Sequence, residues 1–537
     1  MVANSWSPRA LSLERVFQYL KTCVQIDTRT LAVFRVFVGL LILADLVLRS
    51  RNFSFYYTDD GVVPRSLAMA LGPDNAFSFF HLTTDPTLIA LLFVLHGLIA
   101  IQLILGYKTR VAILFSFLFV VSLDNHNPLV TSYADTLFRL LLFWAIFLPL
   151  GERWSIDAVH RDREPRTSFA GIATACILLQ MVVMYLINGL NKTHSEVWTS
   201  GNAAGKVMGI DEMTFLLGDF VRNFPTLLGY GGRLWFYMLL VSWLLILLPG
   251  RKRLPLVFLF MGGHASFALT VRIGAFAYVA LAGLLLFIQT PVWEDAKRLL
   301  RYANVDLTRL DGVQERLVAF AQSVPDYRLN SERQTRLKSQ AYTFFLTFIV
   351  ITTLFTLPFV YLQDAGIMED EIGHESDIDD VASMFRIDQP SWSIFVSPRT
   401  TDRYYVFPAE TENGEQIDVF NDQPLTSERP YQQLQKQHDT YRQRFYMNSI
   451  RRATYGTGVS NEAPMLLAQH ICEEWEAENG EALRSISMYE IREDITLETV
   501  DDPANRTVTE RYLYTYGCGD NPSERIQLPP REYTPTD

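Results

Sequence analysis

Apolar runs of membrane-spanning length recur between residues 31 and 362, and that recurrence limits what this chain can fold into more than any other feature. About 20 apolar residues cross the hydrocarbon of a bilayer as a helix, where every backbone polar group must be satisfied internally. Nine runs read as spans: 31–48, 87–105, 111–123, 134–150, 169–190, 234–248, 255–271, 274–288 and 342–362. The third is short, so its end, or the DNHNP that follows, is expected to enter the protein rather than face lipid. A long polar loop, 191–232, is expected before the sixth. Beyond residue 362 the chain turns soluble in character, with short alternating runs such as RYYVFPAE, EQIDVF and RYLYTYG that predict strands.

Charge orients these spans. The net charge of −11 divides into roughly −19 on residues 361–537 and roughly +8 on the residues before them, a split typical of two compartments that argues against nucleic acid as a partner. Short basic loops lie on the cytoplasmic side of membrane proteins. With the amino terminus inside, GYKTR, GERWSIDAVHRDREPR, GRKR and the basic segment 292–338 all fall on that side. The expected architecture is an all-α polytopic membrane domain of about nine transmembrane helices with a smaller β-rich extracytoplasmic C-terminal domain. Its parts are a cytoplasmic segment 1–30, a transmembrane domain 31–363 that includes the cytoplasmic loop 292–338, an acidic linker 364–390 and the β-rich domain 391–537. The first thirty residues lack a compact apolar core with a small-residue cleavage site, so no cleaved signal peptide is expected. Cys472 and Cys518 share the outer domain, where an oxidising compartment would make them a disulfide.

The residues able to carry chemistry are ionisable groups at the outer membrane boundary. The fifth span runs out into YLINGLNKTHSEVW, which sets Lys192 at a membrane interface. Desolvation disfavours an ammonium, which is how a protein makes an amine that works as a base near neutral pH. A lysine there also simply snorkels to the headgroups. The same orientation puts Asn125, His126 and Lys192 on one side, at the ends of spans three and five, with His264 in the seventh. Arg35, Asp45, Asp135 and Arg139 are read as structural and Arg272 as support for the site, and Asp135 and Arg139, four apart, share one helix face where they could pair. His194 and His264 are too scattered for a metal, and none is expected. Trp392, Phe395 and Pro398 form a cluster with two readings, docking of the outer domain on the membrane part or simple core packing. Asn52-Phe53-Ser54, Asn191-Lys192-Thr193 and Asn505-Arg506-Thr507 are acceptor sequons on the outer side.

FRVFVGLLILADLVLRSR, YYTDDGVVPRS, NHNPLV, RLLLFWAIFLPLGERWSIDA and WSIFVSP together resemble the HTTM-domain proteins, from about Thr28 through the C-terminal region. The membrane region of that family is similar to vitamin K-dependent gamma-carboxylase. The likeness to the carboxylase rests on Asn125-His126 followed by Trp154-Ser155-Ile156-Asp157, on Gly189 to Trp198 with Lys192, and on His264 followed by Ile273-Gly274 and Phe276-Ala277-Tyr278. It implies Lys192 as the base that deprotonates a quinol, Asn125 and His126 in the same site, and His264 supporting the pocket. The carboxylase's lysine doublet is here Asn191-Lys192, and the spacing from Lys192 to Trp198 is one residue longer than that family suggests. Two readings follow. One is a quinol-dependent lyase that carboxylates glutamate and forms a quinone epoxide, with reduced menaquinone or vitamin K hydroquinone as cofactor and an extracytoplasmic protein or peptide as substrate. The other is a non-catalytic relative that binds quinone or membrane lipid and holds an extracytoplasmic partner. A transporter is disfavoured, since no matched pair of broken helices or internal repeat is found.

Overall fold

A computed structural model describes residues 8–73, 75–303, 311–326, 382–396, 401–454 and 462–531. The ninth run, 342–362, most of the acidic linker, and Pro398 lie outside the described residues. After α1 (Pro8–Cys23), the membrane part consists of α2 (Thr28–Ser50), α3 (Pro86–Leu105), α4 (Thr109–His126), α5 (Tyr133–Ala145), α6 (Ile172–Thr193), α7 (Pro225–Leu240), α8 (Leu254–Thr270) and α9 (Phe276–Leu285). Among the described residues five helices are long and apolar enough to cross a membrane: Thr28–Ser50, Pro86–Leu105, Thr109–His126, Ile172–Thr193 and Gly250–Thr270. A sixth is added if α9 and α10 (Thr290–Tyr302), which bends 94° from it, count as one broken span; α11 (Asp311–Ser323) follows in the chain.

Several boundaries differ from the sequence expectation for local reasons. The third span does not stop at Leu123: α4 carries on to His126, with Asp124, Asn125 and His126 all buried, so the polar end enters the protein. The run 134–150 yields only the thirteen residues of α5, since the chain turns at Leu148-Pro149-Leu150-Gly151, where proline cannot continue a helix. The loop 191–232 is not irregular throughout. It holds the short helices Glu196–Thr199, Ala203–Met208 and Gly218–Arg222, and α7 starts inside it at Pro225, a residue suited to a first helical turn.

Arg35 turns to the interior, as charges at membrane depth do, while half-buried Asp45 is met by Arg49 and Arg442. Arg35 is fully buried and donates to the carbonyls of Leu150 (3.0 Å), Arg153 (3.1 Å), Ile104 and Trp154. Asp135 and Arg139 do not pair. Asp135 closes a capping box, accepting from the Ser132 backbone at 2.7 Å, and pairs with Arg442 at 3.0 Å and Arg49 at 3.4 Å. Arg139 pairs with Asp124 instead, at 2.5 Å. A carboxylate in the first helical turn is claimed by backbone donors, and arginines from other elements outbid its own-helix neighbour.

The four basic stretches meet at one end of the helix set. The Lys108 backbone donates to Asp157 (2.8 Å), Trp154 packs edge-on against Trp293 (5.8 Å), Arg251 pairs with Asp295 (2.6 Å) and Lys108 Nζ with Asp326 (3.4 Å). The C-terminal region sits at the other end. There β1 (Thr401–Val406), β2 (Pro408–Thr411), β3 (Gln416–Asp418), β4 (Gln423–Pro424), β5 (Leu483–Asp494) and β6 (Val508–Gly517) form one antiparallel sheet, with α12 (Tyr441–Ala453) and α13 (Glu462–Asn479) inserted between β4 and β5. β5 is long enough to take β1 along its second half and β2 along its first, while β6 runs along its other edge. Arginines fasten this region to the membrane part: Arg272 donates to the carbonyls of Gln435 (2.7 Å), His438 and Asp439, and Arg442 reaches Asp45 and Asp135. Cys472 of α13 and Cys518, just past β6, form a disulfide.

Candidate functional site

Tyr185, Asn188 and Lys192 share one face of α6, since positions three and four apart on a helix stack above one another. That face looks into a cavity of about 540 Å³ between α6, α7 and α8, closed at one end by Ile394 and Phe395. Two glycines let the helices come close enough to form its walls. A Cβ on Gly189 would stand 2.9 Å from Leu239 of α7, and one on Gly263 would meet the Trp235 ring at 2.6 Å.

Lys192 is 1% exposed. Its Nζ donates to Asn188 Oδ1 at 3.0 Å and to the Ile394 carbonyl, and it lies 4.6 Å from the centre of the Trp198 ring. Asn188 donates in turn to the carbonyls of Trp392 (2.6 Å) and Ile394 (2.9 Å), and Trp198 Nε1 to that of Phe395 (2.6 Å). Among the described residues no carboxylate lies within ion-pair reach of Lys192. Deeper in the cavity Tyr185 Oη and His264 Nε2 are 2.8 Å apart, Tyr185 stacks on Phe260, and Trp235 stands edge-on to His264 at 5.3 Å. His264 Nδ1 is buried without a hydrogen-bond partner. The remaining walls are apolar apart from Ser266 and Thr270.

Of the residues singled out from sequence, the structure brings Lys192 and His264 into this cavity and leaves Asn125 and His126 outside its lining. Asn125 donates to the Phe77 carbonyl (2.9 Å) and, more distantly, to that of Met384. His126 contacts the Tyr57 carbonyl at 3.1 Å and stacks on Phe80. One segment links the two places: 382–396 meets Asn125 through Met384, Arg139 through the Arg386 carbonyl (3.2 Å), Gln180 through Gln389 (3.1 Å), and Asn188 and Lys192 through Trp392 and Ile394. Trp392, fully buried, does join the C-terminal region to the membrane helices, stacking on Tyr133 at 5.9 Å. Asn191 Nδ2, the atom a glycan would occupy, donates to the Ser391 carbonyl at 2.9 Å.

Sequence reasoning passed over Tyr185, Asn188, Trp235 and the Ile394 carbonyl. The first two were detectable, as polar groups at helical spacing from Lys192. The carbonyl was not, because it belongs to backbone from a segment about two hundred positions away.

Apolar helices surrounding a part-polar cavity, with a sheet region on one end, fit a membrane protein. The HTTM domain model matches residues 24–293, and the chain belongs to that family. The match ends before the C-terminal region, so the expected likeness beyond residue 293 is not part of it. No curated protein and no solved structure matches the chain.

Proposed function

We propose that this HTTM protein is a quinol-dependent membrane enzyme of the gamma-carboxylase type, with Lys192 Nζ as its base. The observation that carries the reading is a buried amine, held by neutral acceptors and an indole face and facing an apolar cavity. Ionisable groups at membrane depth are kept for function unless paired, and no pairing carboxylate accompanies this one among the described residues. A cavity of this size suits a ring-sized ligand with the start of a lipid tail. The residues present also fit a dihydroxy ring: Lys192 at one end, and at the other the Tyr185–His264 pair with the unpartnered His264 Nδ1. When bound, a reduced quinone would supply the hydroxyl proton and the electrons for reaction with oxygen. Asn188 Oδ1 orients Lys192 Nζ, which takes and returns the proton. Trp198 and Ile394 keep water from it. Asn125 is a positioning residue in this reading, acting through the 382–396 segment, and His126 holds the same helix end through the Tyr57 carbonyl.

The full arrangement belongs to the same proposal: nine spans, amino terminus cytoplasmic, and the C-terminal region outside, where a protein or peptide glutamate would be presented. The meeting of the four basic stretches at the end opposite Lys192 supports it. The test is the full chain in lipid discs with reduced menaquinone or vitamin K hydroquinone and a glutamate peptide, following oxygen uptake and epoxide formation. Wild type is expected to turn over, and Lys192→Ala to fold normally and lose activity. Absence of uptake by the wild type across a range of quinols would favour the non-catalytic binding protein.

A further inference from the structure

At the end of the helices opposite Lys192, a second cavity of about 290 Å³ opens between the start of α4 and the loop after α5. Its wall carries Lys108, Arg110, Arg161, Arg163 and Arg166 against two carboxylates, Glu152 and Asp157. Asp157 is taken up by the helix start, accepting from the Lys108 and Thr109 backbones and from Thr109 Oγ1 at 2.7–2.8 Å. Glu152, fully enclosed, gathers Arg161 (2.7 Å), Arg166 (3.0 Å) and Arg163 (3.5 Å). One carboxylate for three guanidinium groups leaves an excess of positive charge. Those arginines are 31%, 40% and 57% exposed, so each can still meet a second anion.

Two further features set the depth of this cavity. Trp154, in the same loop, is exposed and packs on Trp293 of α10, the helix that turns 94° and presents Leu299, Leu300 and Tyr302 outward. Exposed tryptophans and surface-lying amphipathic helices mark the headgroup level. Directly beside the basic wall, α4 exposes Val111, Leu114 and Phe115, and α3 exposes Leu98, Ile101 and Leu105.

We propose that this cavity binds the phosphate headgroup of an anionic phospholipid, whose chains lie along the exposed apolar face of α3 and α4. Arginine forks match phosphate oxygens two at a time, and basic pockets between membrane helices take such headgroups. A free anion would meet the arginines but leave the apolar face unused. Charge and apolar surface side by side select an anionic lipid over a zwitterionic one.

The test uses the full chain in discs holding equal phosphatidylglycerol and phosphatidylcholine, with the lipid retained after extraction read by native mass spectrometry. The wild type is expected to retain phosphatidylglycerol preferentially, and Arg161→Gln with Arg163→Gln to lower that preference roughly fivefold per arginine. Arg163→Gln alone changes an exposed residue with the longest contact to Glu152, and keeps the test open should the double variant fail to fold. Equal retention of the two lipids by the wild type, or an unchanged preference in Arg163→Gln, overturns the proposal. So does a thermal midpoint raised as much by inorganic phosphate in phosphatidylcholine discs as by phosphatidylglycerol, which would make this a free-anion site.

Discussion

Glu152 sits enclosed in the loop after α5, outside the spanning helices. Burial alone raises its carboxyl, but hydrogen bonds from the Arg166 side chain and backbone, with the charges of Arg161 and Arg166, bring it from the ordinary 4.5 down to about 2. A carboxyl lowered in the folded state stabilises fully above its unfolded value and loses that contribution as pH falls through the folded one. The stability gap between wild type and Glu152→Gln is therefore expected to be constant above about pH 4.5 and to shrink between there and about pH 2. Thermal midpoints in lipid discs across that range check this, and a gap unchanged down to pH 2 contradicts it. At this scale the sequence is informative about which charges matter and poor about their partners. Lys192, Arg35 and Asp45 stand out because charge is rare in apolar runs. That Asp135 meets Arg442 rather than Arg139 depends on a helix more than three hundred positions away, which no local spacing encodes.

Among the elements, spans with long apolar runs were legible to within three residues at each end, as in α2, α3 and α6. Shorter ones were not. Pro149 ends α5 early, and the chain breaks after Leu240 before a last turn at Leu244–Leu247, since hydropathy averages over a kink that backbone geometry registers. The strands in RYYVFPAE, EQIDVF and RYLYTYG followed from alternation, but β5 was not among the runs read as strands, and its pairings with β1 and β2 are long-range. The disulfide ties α13 to the end of β6, with Cα atoms 5.8 Å apart, and closes a loop across 46 positions. Replacing both cysteines by alanine is expected to cost the C-terminal region about 2–5 kcal/mol. Denaturant unfolding followed through Trp475 fluorescence measures it, and an unchanged midpoint contradicts it.

Over the whole molecule, the proposed orientation predicts opposite accessibility for two introduced cysteines, at Glu428 in the C-terminal region and at Arg316 in the helix Asp311–Ser323. With Cys23 and Cys176 replaced by serine, a membrane-impermeant maleimide is expected to label the Glu428 site in intact cells and the Arg316 site only after permeabilisation; the reverse pattern contradicts the orientation. The molecule as a whole also explains why the cavity was only half visible beforehand. Its chemistry depends on α6, on α7 and α8, and on backbone contributed by residues 394 and 395, which come together only in the folded chain. The most direct measurement on that assembled site compares wild type with Lys192→Arg in quinol-supplied discs. Arginine keeps the charge and reaches as far, yet does not give up its proton. Oxygen uptake at the wild-type rate and at protein-free background in the variant is the predicted result, and equal uptake by the two proteins would contradict Lys192 as the base.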